Sequence, residues 1–281
     1  MFITRRTLLA LAIGAAISAS ASARDPKEIV IGTSAGPYAD QVKLGIKPIL
    51  EKQGYKVRLV EFNDYIQPNF ALAEGALDAN VFQHIVYLTK FAADHKLALS
   101  DLVTVPTAPI AMYSRKHKTL AEVKAGTTVA LPNDPTNQAR ALVMLAQLGW
   151  ITLKDKIDPV RASEKDIAAN LKHIKLLPLE AALLPRSLDD ADYAFINGNY
   201  ALASGLKLTD ALAKEKVSPN YVNRVAVRTA DKDKPFARDI AAAYRSREFL
   251  AITNKYFAGY AKTDYQLVLE GAAQPRQASL P

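Results

Sequence analysis

Short apolar runs alternate along the chain with longer stretches of helical period. Residues 28–32, Glu28-Ile29-Val30-Ile31-Gly32, read as a buried strand running into a glycine turn. Residues 41–53 read as a helix that ends at Gly54, and residues 56–62 as a second strand. After the Asn63-Asp64 turn the pattern predicts a helix over 68–74, a strand over 78–82 and a helix over 87–95. Further strands are predicted at 102–106, 110–114, 128–131, 174–178 and 192–196, with helices between them and over 235–260. A late strand at 222–227 follows a break at Ser218-Pro219-Asn220. This alternation argues for an α/β fold with mainly parallel sheets, whose ligand sites lie at the carboxyl ends of the strands. Residues 103–113 and 222–228 are placed to cross between two lobes. The expected division is 24–108 plus 228–281 for lobe 1 and 109–227 for lobe 2, with hinges near 106–112 and 222–228.

The first 23 residues break this pattern. Arg5-Arg6, an apolar run over 8–17 and Ala21-Ser22-Ala23 form an export signal with a small-x-small cleavage site, so residues 1–23 are read as a signal peptide. Thr4-Arg5-Arg6-Thr7-Leu8-Leu9 also approaches a twin-arginine signal; the general secretory route is the preferred reading and the sequence does not separate the two. No later segment reaches the length of about 18 apolar residues that a spanning helix needs, so the expected product is a soluble periplasmic protein. The chain has no cysteine, which excludes disulfides, thiolate metal sites, a cysteine nucleophile and lipid attachment at a cysteine; no lipid anchor is therefore expected. The formal net charge of +8 is spread along the chain without a basic stripe or interleaved aromatics, which argues against nucleic acid as a partner. There is no P-loop, dinucleotide fingerprint, H-E-x-x-H or EF-hand loop, and the four histidines lack metal spacing. No cofactor, metal or enzymatic activity is expected.

Four constellations carry candidate chemistry. Gly32-Thr33-Ser34-Ala35-Gly36 matches the G-x-S-x-G pattern of a serine hydrolase, but on the first strand, with no preceding strand to supply an oxyanion loop. In residues 129–142 a strand, a turn braced by Pro132 and Pro135, and a helix start follow one another, with Thr136 or Asn137 as the expected N-cap. Arg140 then falls in or near the first turn, where it opposes the helix dipole unless an anion sits between them; it is either an anion hook or a solvated surface arginine. Tyr65, Phe82, His84 and Tyr87 sit at or just after strand ends, where they form either an aromatic pocket suited to a thioether or ordinary core with a structural histidine. Asn197, in an Asn-Gly pair that also suits a tight turn, and Asn223 can each offer a carbonyl to an ammonium group and an amide to a carboxylate.

Five segments taken together carry a resemblance: Phe62-Asn63-Asp64-Tyr65-Ile66-Gln67-Pro68-Asn69, Asp78-Ala79-Asn80-Val81-Phe82-Gln83-His84, Pro132-Asn133-Asp134-Pro135-Thr136-Asn137, Leu184-Pro185-Arg186-Ser187-Leu188-Asp189-Asp190 and Ile196-Asn197-Gly198-Asn199-Tyr200. In this order they resemble the NlpA/MetQ lipoprotein family of methionine-binding proteins. The resemblance implies a two-lobed periplasmic-binding-protein fold (type II-like) with two crossing strands as hinge. It also implies a monomer that captures methionine and delivers it to an ABC permease and its ATPase. L-methionine is the expected ligand, with D-methionine, another apolar amino acid or a small methionine-containing peptide as alternatives. By position Arg140 would hold the carboxylate, Asn197 and Asn223 would orient the head group, and Tyr65, Phe82, His84 and Tyr87 would surround the thioether. Asn137 completes the set of candidate ligand residues. Relatives usually carry a lipid-modified cysteine after the signal; its absence here leads to the expectation of free diffusion in the periplasm.

Overall fold

The computed structural model describes residues 25 and 27–272, so the predicted signal peptide lies outside the described residues. Two five-stranded sheets each carry helices on their faces. In chain order the strands are β1 (Glu28–Ser34), β2 (Lys56–Phe62), β3 (Ala79–His84), β4 (Leu99–Thr104), β5 (Ala111–Tyr113), β6 (Thr128–Pro132), β7 (Thr152–Leu153), β8 (Ile167–Ala169), β9 (Lys175–Leu179), β10 (Tyr193–Ile196), β11 (Ala213–Lys214) and β12 (Asn223–Arg228). The first sheet runs β2-β1-β3-β12-β4 and the second β11-β5-β10-β6-β9, while β7 and β8 form a separate small ribbon.

The sheets are less parallel than the alternation of elements suggests. β1 pairs parallel with β2 and β3, and β6 parallel with β9 and β10, but β12 runs antiparallel to β3 and β4, and β5 antiparallel to β10 and β11. The antiparallel members include the strands on which the chain enters the second sheet (β5) and returns to the first (β12). A strand arriving from the other sheet is not bound by the right-handed crossover that keeps β-helix-β units parallel. Strand β12, expected to share in the crossing, pairs within the first sheet from Asn223 to Arg228, and the return is made by residues 215–222. The outward crossing is residues 105–110. The two crossings are bonded to each other: Val105 N donates to the Asn223 carbonyl at 2.8 Å and Asn223 N donates to Thr107 Oγ1 at 2.7 Å.

Each sheet has its own core. Ile29, Ile31, Tyr38, Phe82 and Val225 pack with Ile240, Tyr244 and Phe249 of the C-terminal helices Pro235–Tyr244 and Arg247–Tyr256. Met112, Leu142, Trp150, Tyr193 and Phe195 form the corresponding core of the second sheet. The helix predicted over 41–53 starts earlier, at Pro37, and contains a π-helical turn over Val42–Ile46 before resuming at Lys47–Lys52. Pro48 has no N–H to give, so the ladder loses a bond there and a widened turn is accommodated. Gly45, inside that turn, allows the Phe249 ring to lie where a β-carbon would come within 2.6 Å of it.

Among the described residues no helix is long and apolar enough to cross a membrane. The carboxyl ends of β1, β3, β6 and β10 open toward the region between the sheets, and the candidate residues gather there.

Candidate functional site

Strand β6 ends at Pro132, and the helix Pro135–Gln147 begins three residues later. Its N-cap is Asp134, not Thr136 or Asn137: the Asp134 carboxylate accepts from Asn137 N at 3.0 Å, and Pro135 occupies the first turn, where its missing N–H costs nothing. Arg140 consequently lies in the second turn. It is only 4% exposed, so it is not a solvated surface arginine.

The anion that reconciles Arg140 with its surroundings comes first from the chain itself. Glu215, on the return crossing, accepts from Arg140 Nε at 3.0 Å and from Nη2 at 2.5 Å, a two-point bond with the Glu215 side chain 9% exposed. Burial works against the Arg140 charge, but the Glu215 carboxylate outweighs it and holds the guanidinium pKa above its ordinary value. The Arg140 guanidinium also stacks on the Tyr221 ring at 4.8 Å.

Asn137 is the junction of the site. Its Oδ1 accepts from Arg140 Nη1 at 2.8 Å and Asn197 Nδ2 at 2.8 Å, and lies 3.4 Å from His84 Nε2, while its Nδ2 donates to the Asp134 carboxylate. Of the five guanidinium N–H groups of Arg140, three are engaged among the described residues. One on Nη1 and one on Nη2 remain, enough for a carboxylate. Asn197 Oδ1 is buried and has no hydrogen-bond partner among the described residues, an acceptor suited to an ammonium group. Gly198, next to it, does not take the positive φ that a tight Asn-Gly turn would require. It is glycine because a β-carbon would sit 2.6 Å from the Pro109 carbonyl oxygen of the outward crossing.

His84 ends β3 and caps the helix Ile85–His95, its Nδ1 accepting from Tyr87 N at 3.2 Å. The ring proton is therefore on Nε2, facing Asn137. Burial, with Arg140 nearby, pushes the His84 pKa well below 6.5 and keeps the ring neutral. An unfolded chain binds this proton near pH 6.5 and the folded chain does not, so folded stability falls as pH drops below about 6.5, by up to about 1.4 kcal/mol per pH unit, and is unaffected above it. Melting curves between pH 5 and 7.5 are expected to show a shallower acid slope for His84→Gln than for the wild type; equal slopes would contradict a buried neutral His84.

The aromatic wall is built as the sequence suggests. Tyr65 stacks on Phe82 at 5.5 Å and meets Tyr87 edge-on at 6.0 Å. Asn223 donates from Nδ2 to the Phe82 carbonyl at 2.8 Å, which leaves its side-chain Oδ1 to offer. All eight candidates, Tyr65, Phe82, His84, Tyr87, Asn137, Arg140, Asn197 and Asn223, line one small cavity. Tyr38 and Asn199 line it too and were not singled out from the sequence, nor were Glu215 and Tyr221 behind Arg140. Asn199 joins the two sheets: it accepts from Tyr65 OH at 2.6 Å and donates to Ser34 Oγ at 3.2 Å. The partner of Ser34 is thus an amide N–H, which cannot take its proton.

The family model described as NlpA lipoprotein matches residues 29–264. The chain belongs to the NlpA lipoprotein family. It is 41% identical over 258 residues, 88% of this chain and 94% of the relative, to the D-methionine-binding lipoprotein MetQ of Salmonella typhi. To the protein of that name from Escherichia coli strain K12 it is 40% identical over 240 residues, covering 84% and 88% of the two chains. A nutrient binding protein from Burkholderia cenocepacia, solved bound to methionine, superposes with a TM-score of 0.79 at 40% identity, covering 84% of this chain and 99% of that one. The two-sheet α/β architecture is thus that of a two-lobed NlpA-family binding protein. The expectation of a freely diffusing protein without a lipid anchor is corrected by the same finding, because the family and these curated relatives are lipoproteins by name. Cysteine usage speaks to one attachment chemistry only, and it does not outweigh membership of a lipoprotein family.

Proposed function

We propose that this NlpA-family chain is the substrate-binding component of an ABC importer and that its ligand is methionine, captured in the cavity between the sheets. The observation that carries the reading is the pairing of opposite head-group chemistries beside an aromatic wall: two remaining Arg140 N–H groups for a carboxylate, and the unpartnered Asn197 Oδ1, with Asn223 Oδ1, for an ammonium. Tyr65, Phe82 and Tyr87 surround the thioether, whose contacts with ring edges contribute about 0.3 to 1.5 kcal/mol each. His84 keeps Asn137 in place as a neutral donor. One lobe is built on β1 to β4 with β12 and the other on β5, β6 and β9 to β11, so β12 moves to the first lobe from the expected division, and the bonded crossings near Thr107 and Asn223 are the hinge between them. The protein is a monomer that presents its loaded form to a permease coupled to an ATPase. It binds and releases; it does not turn over.

L-methionine is the ligand expected first. D-methionine is a second reading, favoured by the name of the Salmonella and Escherichia relatives. Calorimetry on protein unfolded and refolded to strip carried-over ligand tests both, with leucine as the apolar control. Tight binding of either methionine enantiomer and weak binding of leucine is the expected result. Leucine binding as tightly as both enantiomers would overturn methionine as the ligand.

A further inference from the structure

Glu215 stands in a Lys-Glu-Lys run on the return crossing, 75 residues from Arg140 in sequence, yet its carboxylate is packed side-on against the guanidinium by two hydrogen bonds. We propose that Glu215 is the positioning residue of the site, and that by fixing and neutralising Arg140 it makes the cavity select a zwitterion over a ligand that carries only a carboxylate. This rests on the methionine reading above.

The geometry supplies the positioning. Glu215 takes Nε and one N–H of Nη2, and Asn137 takes one N–H of Nη1, so the guanidinium is held along two edges and cannot rotate about its own axis. Its two remaining N–H groups, one on Nη1 and one on Nη2, are thereby held in a fixed plane, and a carboxylate meets donors that it need not first order.

The charges supply the selection. Arg140 and Glu215 together carry no net charge, His84 is neutral, and the Asp134 carboxylate, held by Asn137 Nδ2, lies just behind. A ligand with a carboxylate and an ammonium leaves this buried balance unchanged, and its ammonium finds the unpartnered Asn197 Oδ1. A ligand with the carboxylate alone leaves an excess negative charge in a buried site, which is costly, and leaves Asn197 Oδ1 without a donor. Without Glu215 the same site would carry one more positive charge, and a bare carboxylate would be welcome.

The probe pair is methionine and 4-(methylthio)butanoate, the same molecule without its amino group. The readout is the ratio of their dissociation constants. Wild type is expected to favour methionine by roughly 100-fold or more, and Glu215→Gln to narrow that ratio by roughly tenfold or more. Glu215→Asp keeps the charge while spoiling the two-point geometry, so it is expected to weaken both ligands and leave the ratio near the wild-type value. Glu215→Ser, which leaves room for water, replaces the Gln variant if that variant does not fold. A merely structural Glu215 would weaken both ligands equally; an unchanged ratio in a folded Gln or Ser variant overturns the inference while methionine binding by the wild type still stands. Failure of the wild type to bind methionine is the different result that overturns the functional reading, and the inference with it.

Discussion

Arg140→Ala is expected to weaken methionine binding by roughly 30-fold or more and to lower the melting temperature at the same time. The affinity loss follows from leaving the ligand carboxylate buried without its charge partner, about 2 to 5 kcal/mol, or roughly 30-fold to several thousand-fold. The stability loss has a separate origin. Glu215 is left as an uncompensated buried carboxylate, and breaking such a pair from one side costs about 3 to 5 kcal/mol. The two effects can be parted by Arg140→Met combined with Glu215→Gln, which removes both charges: stability is expected to return toward the wild-type value while binding stays weak. Calorimetry and thermal melting on the three proteins check this. An Arg140→Ala protein that keeps methionine affinity within threefold of wild type would remove Arg140 from the site.

Asn137→Ala is expected to have the second largest effect. One side-chain oxygen serves Arg140, Asn197 and His84, and the amide nitrogen braces Asp134, so truncation strands donors on both sheets at once. Each buried group left unsatisfied costs about 1 to 3 kcal/mol, and with water entering part of the space a net destabilisation of about 2 to 4 kcal/mol is expected. Methionine affinity is expected to fall by roughly tenfold or more, because the Arg140 fork and the Asn197 amide lose their common support. Melting and calorimetry again provide the check; a melting temperature unchanged by the substitution would show that Asn137 is not the junction the geometry makes it.

Much of this architecture was legible in the chain because strand ends announce themselves. The strand-patterned segment at residues 56–62 is bounded by Gly54 and by the Asn63-Asp64 turn, and it coincides with β2. Tyr65, Phe82, His84 and Tyr87 could be grouped because strand-end residues of one sheet converge in space even when separated in sequence. Glu215 could not be found this way. Flanked by Lys214 and Lys216 it carries the signature of a solvated turn, and its burial arises only from the return crossing passing over the helix that bears Arg140. The cap of that helix was misplaced for a more local reason: Asp134, Thr136 and Asn137 are all capping residues, and Pro135 decides among them by fitting the first helical position rather than the cap itself. The π-helical turn at Val42–Ile46 lies inside an apolar period that is otherwise regular, so the pattern alone gave no reason to look for it.

The contacts around Arg140 divide unequally between the two jaws. Arg140, Asn137, Asn197 and Glu215 are bonded among themselves and all lie between β6 and the return crossing, whereas the links to the opposite jaw are His84 to Asn137, Tyr65 and Ser34 to Asn199, and Tyr200 to the Asn63 carbonyl. Parting the jaws breaks these links and the Tyr65–Tyr200 ring contact at 5.0 Å, and leaves the hydrogen bonds around Arg140 assembled. On the proposed methionine reading, arrival and departure of the ligand are expected to depend on different surfaces: capture on the preassembled fork, and the length of the ligand's stay on the aromatic jaw. Substitutions at Tyr65 or Phe82 are then expected to change the residence time, and those at Glu215 the capture.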